Sequence, residues 1–273
     1  MKFKDDFVGT TTAEAPDQSG PLLIQTGVDT SSQRVVIYGP PGIGKSTLAG
    51  GAPNSLMIDA DDGAKLLGIP RISGFTSFDH LLQTMRDPAV GDYETIVVDS
   101  ISRVEDLAAE HVISTIPIDS HGTRATSMES YGFGKGYTHL YGTFLRFIAE
   151  LDQLRRRGHH VVLVAHVCVV TVPYPSGADF LRYEPLLSSP KSGRASIRSL
   201  VQSWSDHVLY VGYDIAPSRD EGKAIGSGTR TIYFNELPTF LAKTRSLKGG
   251  PRPFQMGDVS IWSDLFNTTN KEK

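Results

Sequence analysis

The sequence predicts an α/β fold with a mostly parallel, doubly wound central sheet. Three observations carry that expectation. Short apolar runs recur along the chain, amphipathic patterns fall between them, and a glycine-rich turn joins the first run to a helical segment. Runs that are apolar at every position suit strands covered by helices on both faces. Strand–helix–strand alternation is the pattern of a doubly wound sheet.

The predicted strands are Arg34 to Tyr38, Ser55 to Asp59, Glu94 to Asp99 and His160 to His166. The clearest predicted helix runs from about Tyr137 to Arg157, where Leu140, Tyr141, Phe144, Ile148, Leu151 and Leu154 recur at helical spacing and form one apolar stripe. Arg155, Arg156 and Arg157 complement the carboxyl end of that helix, and Gly158 is a natural stop. Weaker helical patterns cover Phe78 to Met85 and Val104 to Val112. After Val170 the pattern changes, and two further strands, His207 to Tyr213 and Thr229 to Phe234, are expected as additions at one sheet edge. Residues 9–21 are small and polar, so residues 1–21 read as a flexible tail, residues 267–273 as a frayed end, and residues 22–266 as one domain.

Composition narrows the function classes. With 273 residues there is room for one large α/β core. The net charge of −3 gives no overall basic field, so any nucleic-acid surface must be a local patch. The one cysteine, Cys168, excludes a disulfide framework and reads as a small buried hydrophobe. The start is charged with no apolar core behind it, and the longest apolar run is too short to span a bilayer. The expectation is a soluble, cytoplasmic protein with no membrane partner.

The glycine-rich turn carries the chemistry. Gly39, Pro40, Pro41, Gly42, Ile43, Gly44, Lys45 and Ser46 fit G-x-x-x-x-G-K-[ST], directly after a strand and before a helix that begins with Lys45, Ser46 and Thr47. Glycines let backbone N–H groups turn inward around an anion, and a helix amino terminus favours negative charge. Lys45 would place a charge on the β- and γ-phosphates of ATP, and Ser46 would offer its hydroxyl to Mg2+. Asp99 ends a β-type run, the usual place for the acid that holds magnesium through water; alternatively it caps the following helix. Asp59 and Asp61 close the second strand on one face. One of them, Asp61 for preference, could orient or deprotonate water; alternatively both acids cap a helix beginning near Gly63.

These residues resemble the RecA-type ATPases. Met57 to Asp61 looks like the RecA second strand that ends in the catalytic acid, with Asp where RecA itself has Glu. Glu94 to Ser100 looks like its Walker B strand, and Val161 to His166 like the strand ending in a γ-phosphate sensor. Arg124 to Tyr137, Ala165 to Val167 and Ala242 to Arg245 are closer still to the phage RecA-like ATPases that include single-strand annealing recombinases; Thr244 stands where relatives often show Asn. The resemblance spans roughly Val35 to Met256. It implies a RecA-like P-loop core that hydrolyses ATP with Mg2+ and assembles as a ring or filament. It also implies single-stranded DNA as partner in phage-type recombination, in a phage-infected or bacterial cell, with a single-strand DNA-binding protein as a further candidate partner. Asp61 would position water, His166 would sense the γ-phosphate, and Lys243 and Arg245 would act from a neighbouring subunit.

RecA-type proteins place mobile loops on the DNA, and residues 173–198 match the second loop by position. That stretch holds Arg182, Lys191, Arg194 and Arg198 with Tyr174 and Tyr183, against Asp179 and Glu184. Cations with aromatics on a flexible loop suit single strands, although taken alone the stretch reads as an ordinary solvated loop; it is the resemblance that implies Lys191, Arg194 and Arg198 as DNA contacts. Tyr131 to Tyr137 reads equally as a DNA or nucleotide contact or as a tight lead-in to the long helix. Two other readings remain open: a helicase-type motor, and a small-molecule kinase in which Arg155 to Arg157 form a lid.

Overall fold

The computed structural model describes residues 32–190, 195–217 and 224–266, with side chains omitted at 215–217 and 224–227. The expected tails, 1–21 and 267–273, lie outside the described residues, as do Lys191 and Arg194.

The chain runs β1 (Arg34–Tyr38), α1 (Lys45–Gly50), β2 (Ser55–Asp59), β3 (Arg71–Ser73), α2 (Phe78–Met85), β4 (Thr95–Asp99), α3 (Ile101–Thr115) and α4 (Lys135–Arg156). It continues through β5 (His160–Ala165), β6 (Val167–Val172), β7 (Phe180–Pro185), α5 (Ile197–Trp204), β8 (His207–Pro217), β9 (Ala224–Tyr233), β10 (Arg252–Phe254) and α6 (Ser260–Leu265). Among the described residues, eight strands form one sheet in the order β10-β9-β8-β1-β5-β4-β2-β3. The block from β8 to β3 is parallel, while β9 runs antiparallel to both of its neighbours. Strand β5 separates β1 from β4, so the glycine-rich loop and Asp99 face each other across one intervening strand. This is the mostly parallel α/β core with added edge strands that the sequence predicts.

Strand alternation divides the core. Val36, Ile58, Ile96, Val98 and Leu163 face Phe78, Leu81, Leu107, Phe144 and Leu151 on one side. Val35, Ile37, Met57, Val97 and Val162 face Leu48, Ile261, Trp262 and Leu265 on the other. Helix α4 buries the expected stripe, with Tyr141 only partly covered, and adds Thr143 and Phe147. Its end is a Schellman motif. Gly158 adopts φ 97, its N–H donates to Arg155 O at 2.9 Å, and the His159 N–H reaches Leu154 O at 3.2 Å.

Two expectations change here. Residues 173–198 are not one free loop. Strands β6 and β7 pair antiparallel as a separate two-stranded sheet, and Arg198 sits in the first turn of α5. Cys168 lies in β6 and is only half-buried, its thiol directed at the carbonyls of Glu184 and Pro185.

Candidate nucleotide site at the carboxyl edge of the sheet

The loop from Gly39 to Ser46 leaves the carboxyl end of β1 and enters α1. Its first glycine is required by a close approach, since a Cβ at Gly39 would run into the Val211 carbonyl of β8. Gly44 is required twice over. It has φ 104, and an added Cβ would lie 2.7 Å from the Met256 sulfur. Lys45 is mostly buried, and its ammonium donates to Gly39 O at 2.9 Å and Pro40 O at 3.0 Å. Burial pulls the lysine below its ordinary pKa, and the nearby Asp99 and Asp61 only partly oppose this.

Asp99, at the end of β4, is buried and hydrogen-bonded to Ser46. Burial raises its carboxyl, with Asp61 and Asp59 adding in the same direction against Ser46 and Lys45. The helix-cap alternative for Asp99 falls to its neighbour: Ser100 is the N-cap of α3 and accepts from the Arg103 N–H at 3.2 Å. The Asp99–Ser100 peptide bond is cis.

The acids after β2 divide their labour. Asp59 is fully buried and accepts from the N–H groups of Gly63 at 3.0 Å and Ala64 at 2.9 Å. It holds a turn, and no helix begins near Gly63. Asp61 instead faces the site, with His166 Nε2 3.2 Å from its Oδ2. Burial pushes Asp61 up, but hydrogen bonds from His166 and Ser100 outweigh it and leave the carboxyl below its usual range. The Asp61 hydrogen bond raises His166 in turn, against burial. Ser102, which the sequence reading missed, accepts from the His166 N–H at 3.1 Å and donates to Leu186 O at 2.9 Å. It occupies the second position of α3 and carries no motif signal.

Lys45, Ser46, Asp61, Asp99 and His166 therefore converge. Lys243 and Arg245 do not join them. The Lys243 ammonium donates to Gln202 O, and its backbone pairs with Val208 at the start of β8. Arg245 contacts Asp206 at 2.9 Å and keeps 59% of its side chain exposed. Asp206 also holds Arg34, the first residue of β1. The two cations thus lie at the amino edge of the sheet, a full strand away from their own phosphate loop.

The expected DNA contacts divide as well. Arg198 is withdrawn from the set: its guanidinium is bound to Glu184 at 3.1 Å and to the carbonyls of Pro185 and Leu187 at 3.0 and 2.8 Å. The Tyr131 to Tyr137 segment is at least a tight lead-in to α4. Tyr131 Oη donates to Val112 O and Ile116 O, and Gly132, Phe133 and Gly134 all take positive φ.

Residues 31–246 match the family described as AAA domain. The chain belongs to that family. The match spans the phosphate loop, both strand-end acids, His166 and the Lys243–Arg245 segment, so the AAA domain here is a P-loop ATPase domain. No curated protein sequence matches the chain significantly. Among solved structures, a KaiC-like protein from the hyperthermophilic archaeon Pyrococcus horikoshii OT3 is similar at 14% identity, covering 83% of this chain and 86% of that one, with a TM-score of 0.42. That likeness is too distant to carry an argument about the site. No described helix is long and apolar enough to cross a membrane.

Proposed function

We propose that this AAA domain binds and hydrolyses ATP with Mg2+, as one subunit of a homo-oligomeric ring or filament acting on single-stranded DNA in recombination. The observation that carries the hydrolytic part is the convergence of Lys45, Ser46, Asp61, Asp99 and His166 at one edge of the sheet. The donor set suits magnesium. A hydroxyl and a buried carboxylate are already hydrogen-bonded, and two acids, Asp99 and Asp61, lie near the one lysine. Ser46 and Asp99 would hold the ion, which when bound offsets the charge of the phosphates. Lys45 would exchange its two carbonyl partners for β- and γ-phosphate oxygens. Asp61, ionised across the neutral range, would accept a hydrogen bond from the attacking water and fix its line of approach. His166, whose hydrogen bond with Asp61 favours its protonated form, would present a hydrogen-bond donor to the terminal phosphate.

The oligomer rests on the family resemblance, in which Lys243 and Arg245 act on a neighbour; their place at the amino edge, away from their own phosphate loop, is compatible with that role. The DNA part rests on the family resemblance, on the cations Lys191 and Arg194 in the sequence, and on a hairpin that exposes Tyr174 and Tyr183. The kinase reading loses its lid, because Arg155 to Arg157 stay at the end of α4, at the amino edge of β5. Steady-state hydrolysis with and without single-stranded DNA, paired with anisotropy of labelled DNA, tests the whole reading. Stimulated turnover and ATP-dependent binding are expected. Turnover without any DNA binding would remove the DNA part, duplex unwinding would favour a motor, and absence of nucleotide binding would remove the reading altogether.

A further inference from the structure

The phosphate loop accounts for the triphosphate but not for the base. Sheet order gives the direction in which the nucleoside must leave. Asp61, Asp99 and His166 follow β2, β4 and β5, all on one side of β1. A triphosphate whose terminal phosphate points at those groups directs its nucleoside to the other flank, toward β8, β9 and β10.

On that flank, the segment after β10 lies along α1. Met256 packs on Gly44 of the phosphate loop, where an added Cβ would meet its sulfur at 2.7 Å and the Phe254 ring at 3.1 Å. Val259 packs on Gly51, at the far end of the same helix. The segment is anchored from below. Phe254 and Trp262 are buried, and the indole N–H donates to Leu48 O at 2.9 Å. Yet Met256 and Val259 remain 54% and 44% exposed. Met256, left in solvent on a firmly held segment beside a loop built for phosphates, offers a flat apolar surface next to it.

We propose that Met256 is the shelf on which the nucleotide base lies. This rests on the nucleotide-site reading and extends it to the nucleoside. A thioether packs well against an aromatic face. The neighbouring carboxylate, Asp258, is turned to the Ser260 N–H at 2.9 Å, away from the edge of a base. Met256 would therefore meet the flat face of the ring, which adenine and guanine share.

Calorimetric titration of the full chain with ATP, GTP and inorganic tripolyphosphate, each with Mg2+, tests this on wild type, Met256→Ala and Met256→Leu. Met256→Ala is expected to weaken ATP and GTP by roughly 5- to 30-fold and to leave tripolyphosphate unchanged, while Met256→Leu stays close to wild type. Wild-type binding of ATP with no loss in Met256→Ala would overturn the shelf and leave the phosphate site standing. So would an equal loss for tripolyphosphate, which would mean that Met256 only shapes the loop. If wild type bound neither ATP nor tripolyphosphate, the nucleotide-site reading would fall, and the shelf with it.

Discussion

Asp59 and Asp61 are two residues apart on one strand end, yet they are different kinds of acid. Asp59 is buried on two backbone N–H groups, so Asp59→Asn weakens two charge-assisted bonds. It should cost about 1–3 kcal/mol of stability, read as a lower denaturant midpoint. Asp61→Asn removes a solvent-reaching carboxylate. It should leave stability and ATP binding nearly intact while slowing turnover by about 10²–10⁴-fold; loss of turnover in the Asp59 variant alone would reverse the assignment. The Asp61–His166 pair has a pH signature too. Asp61 lies below its ordinary value, so its share of the pair is lost as acidity rises through that depressed pKa. His166 lies above its ordinary value, so its share is complete below about 6.5 and is lost as pH climbs through the raised pKa. Because the Asp61 hydrogen bond is the main cause of the rise, Asp61→Asn should lower the His166 pKa, which a histidine NMR titration would read directly.

At the scale of elements, Arg198 makes the sharpest case. It binds Glu184, which is buried and also held by Arg182. Arg198→Ala should therefore destabilise the protein by roughly 1–3 kcal/mol without changing the salt dependence of DNA binding. Lys191→Ala with Arg194→Ala should do the reverse, lowering the log–log salt slope by about 0.7 per lost contact. An unaltered slope in that double variant would return the segment to an ordinary solvated loop. The contrast also shows what sequence can and cannot convey. Strands β1 and β2 and helix α2 are legible to the residue, because each is a continuous apolar run or a capped amphipathic turn bounded by Gly, Pro or Ser. The hairpin is not legible, because β6 follows β5 after His166 alone, and nothing in the apolar run from Val161 to Val172 marks where the chain leaves the main sheet. Arg198 reads as a loop cation because its partner Glu184 is 14 residues away on another element. Strand β10 and helix α6 are too short to show a period, and they are held by tertiary contacts such as Trp262 on Leu48. In the site, Lys45, Ser46 and Asp99 are visible as motif. Ser102 and Met256 act only through the fold, and no local pattern points to either.

Across the whole molecule, the phosphate loop and the Lys243–Arg245 pair occupy opposite edges of one sheet. Arg245→Ala should therefore bind ATP and lose hydrolysis by about 10³–10⁵-fold, while Lys45→Ala loses both. Mixed, the two dead proteins should regain part of the wild-type rate, because some junctions then pair an intact loop with an intact arginine. A mixture that stays inactive while the two variants demonstrably co-assemble would show that the pair does not act across the junction.

The hold of Asp206 on Arg245 has a consequence for quantity as well as for place. A lone chain keeps its arginine on its own carboxylate and has no second copy to offer it to. Turnover per chain should then depend on protein concentration: nearly silent when copies are scarce, and rising as they become numerous enough to meet head to tail. On that reading Asp206 would set how many copies it takes. If copies assemble as proposed, weakening its hold with Asp206→Asn should move the onset to lower protein concentration, and one carboxylate far from the chemistry would then act as a quorum setting.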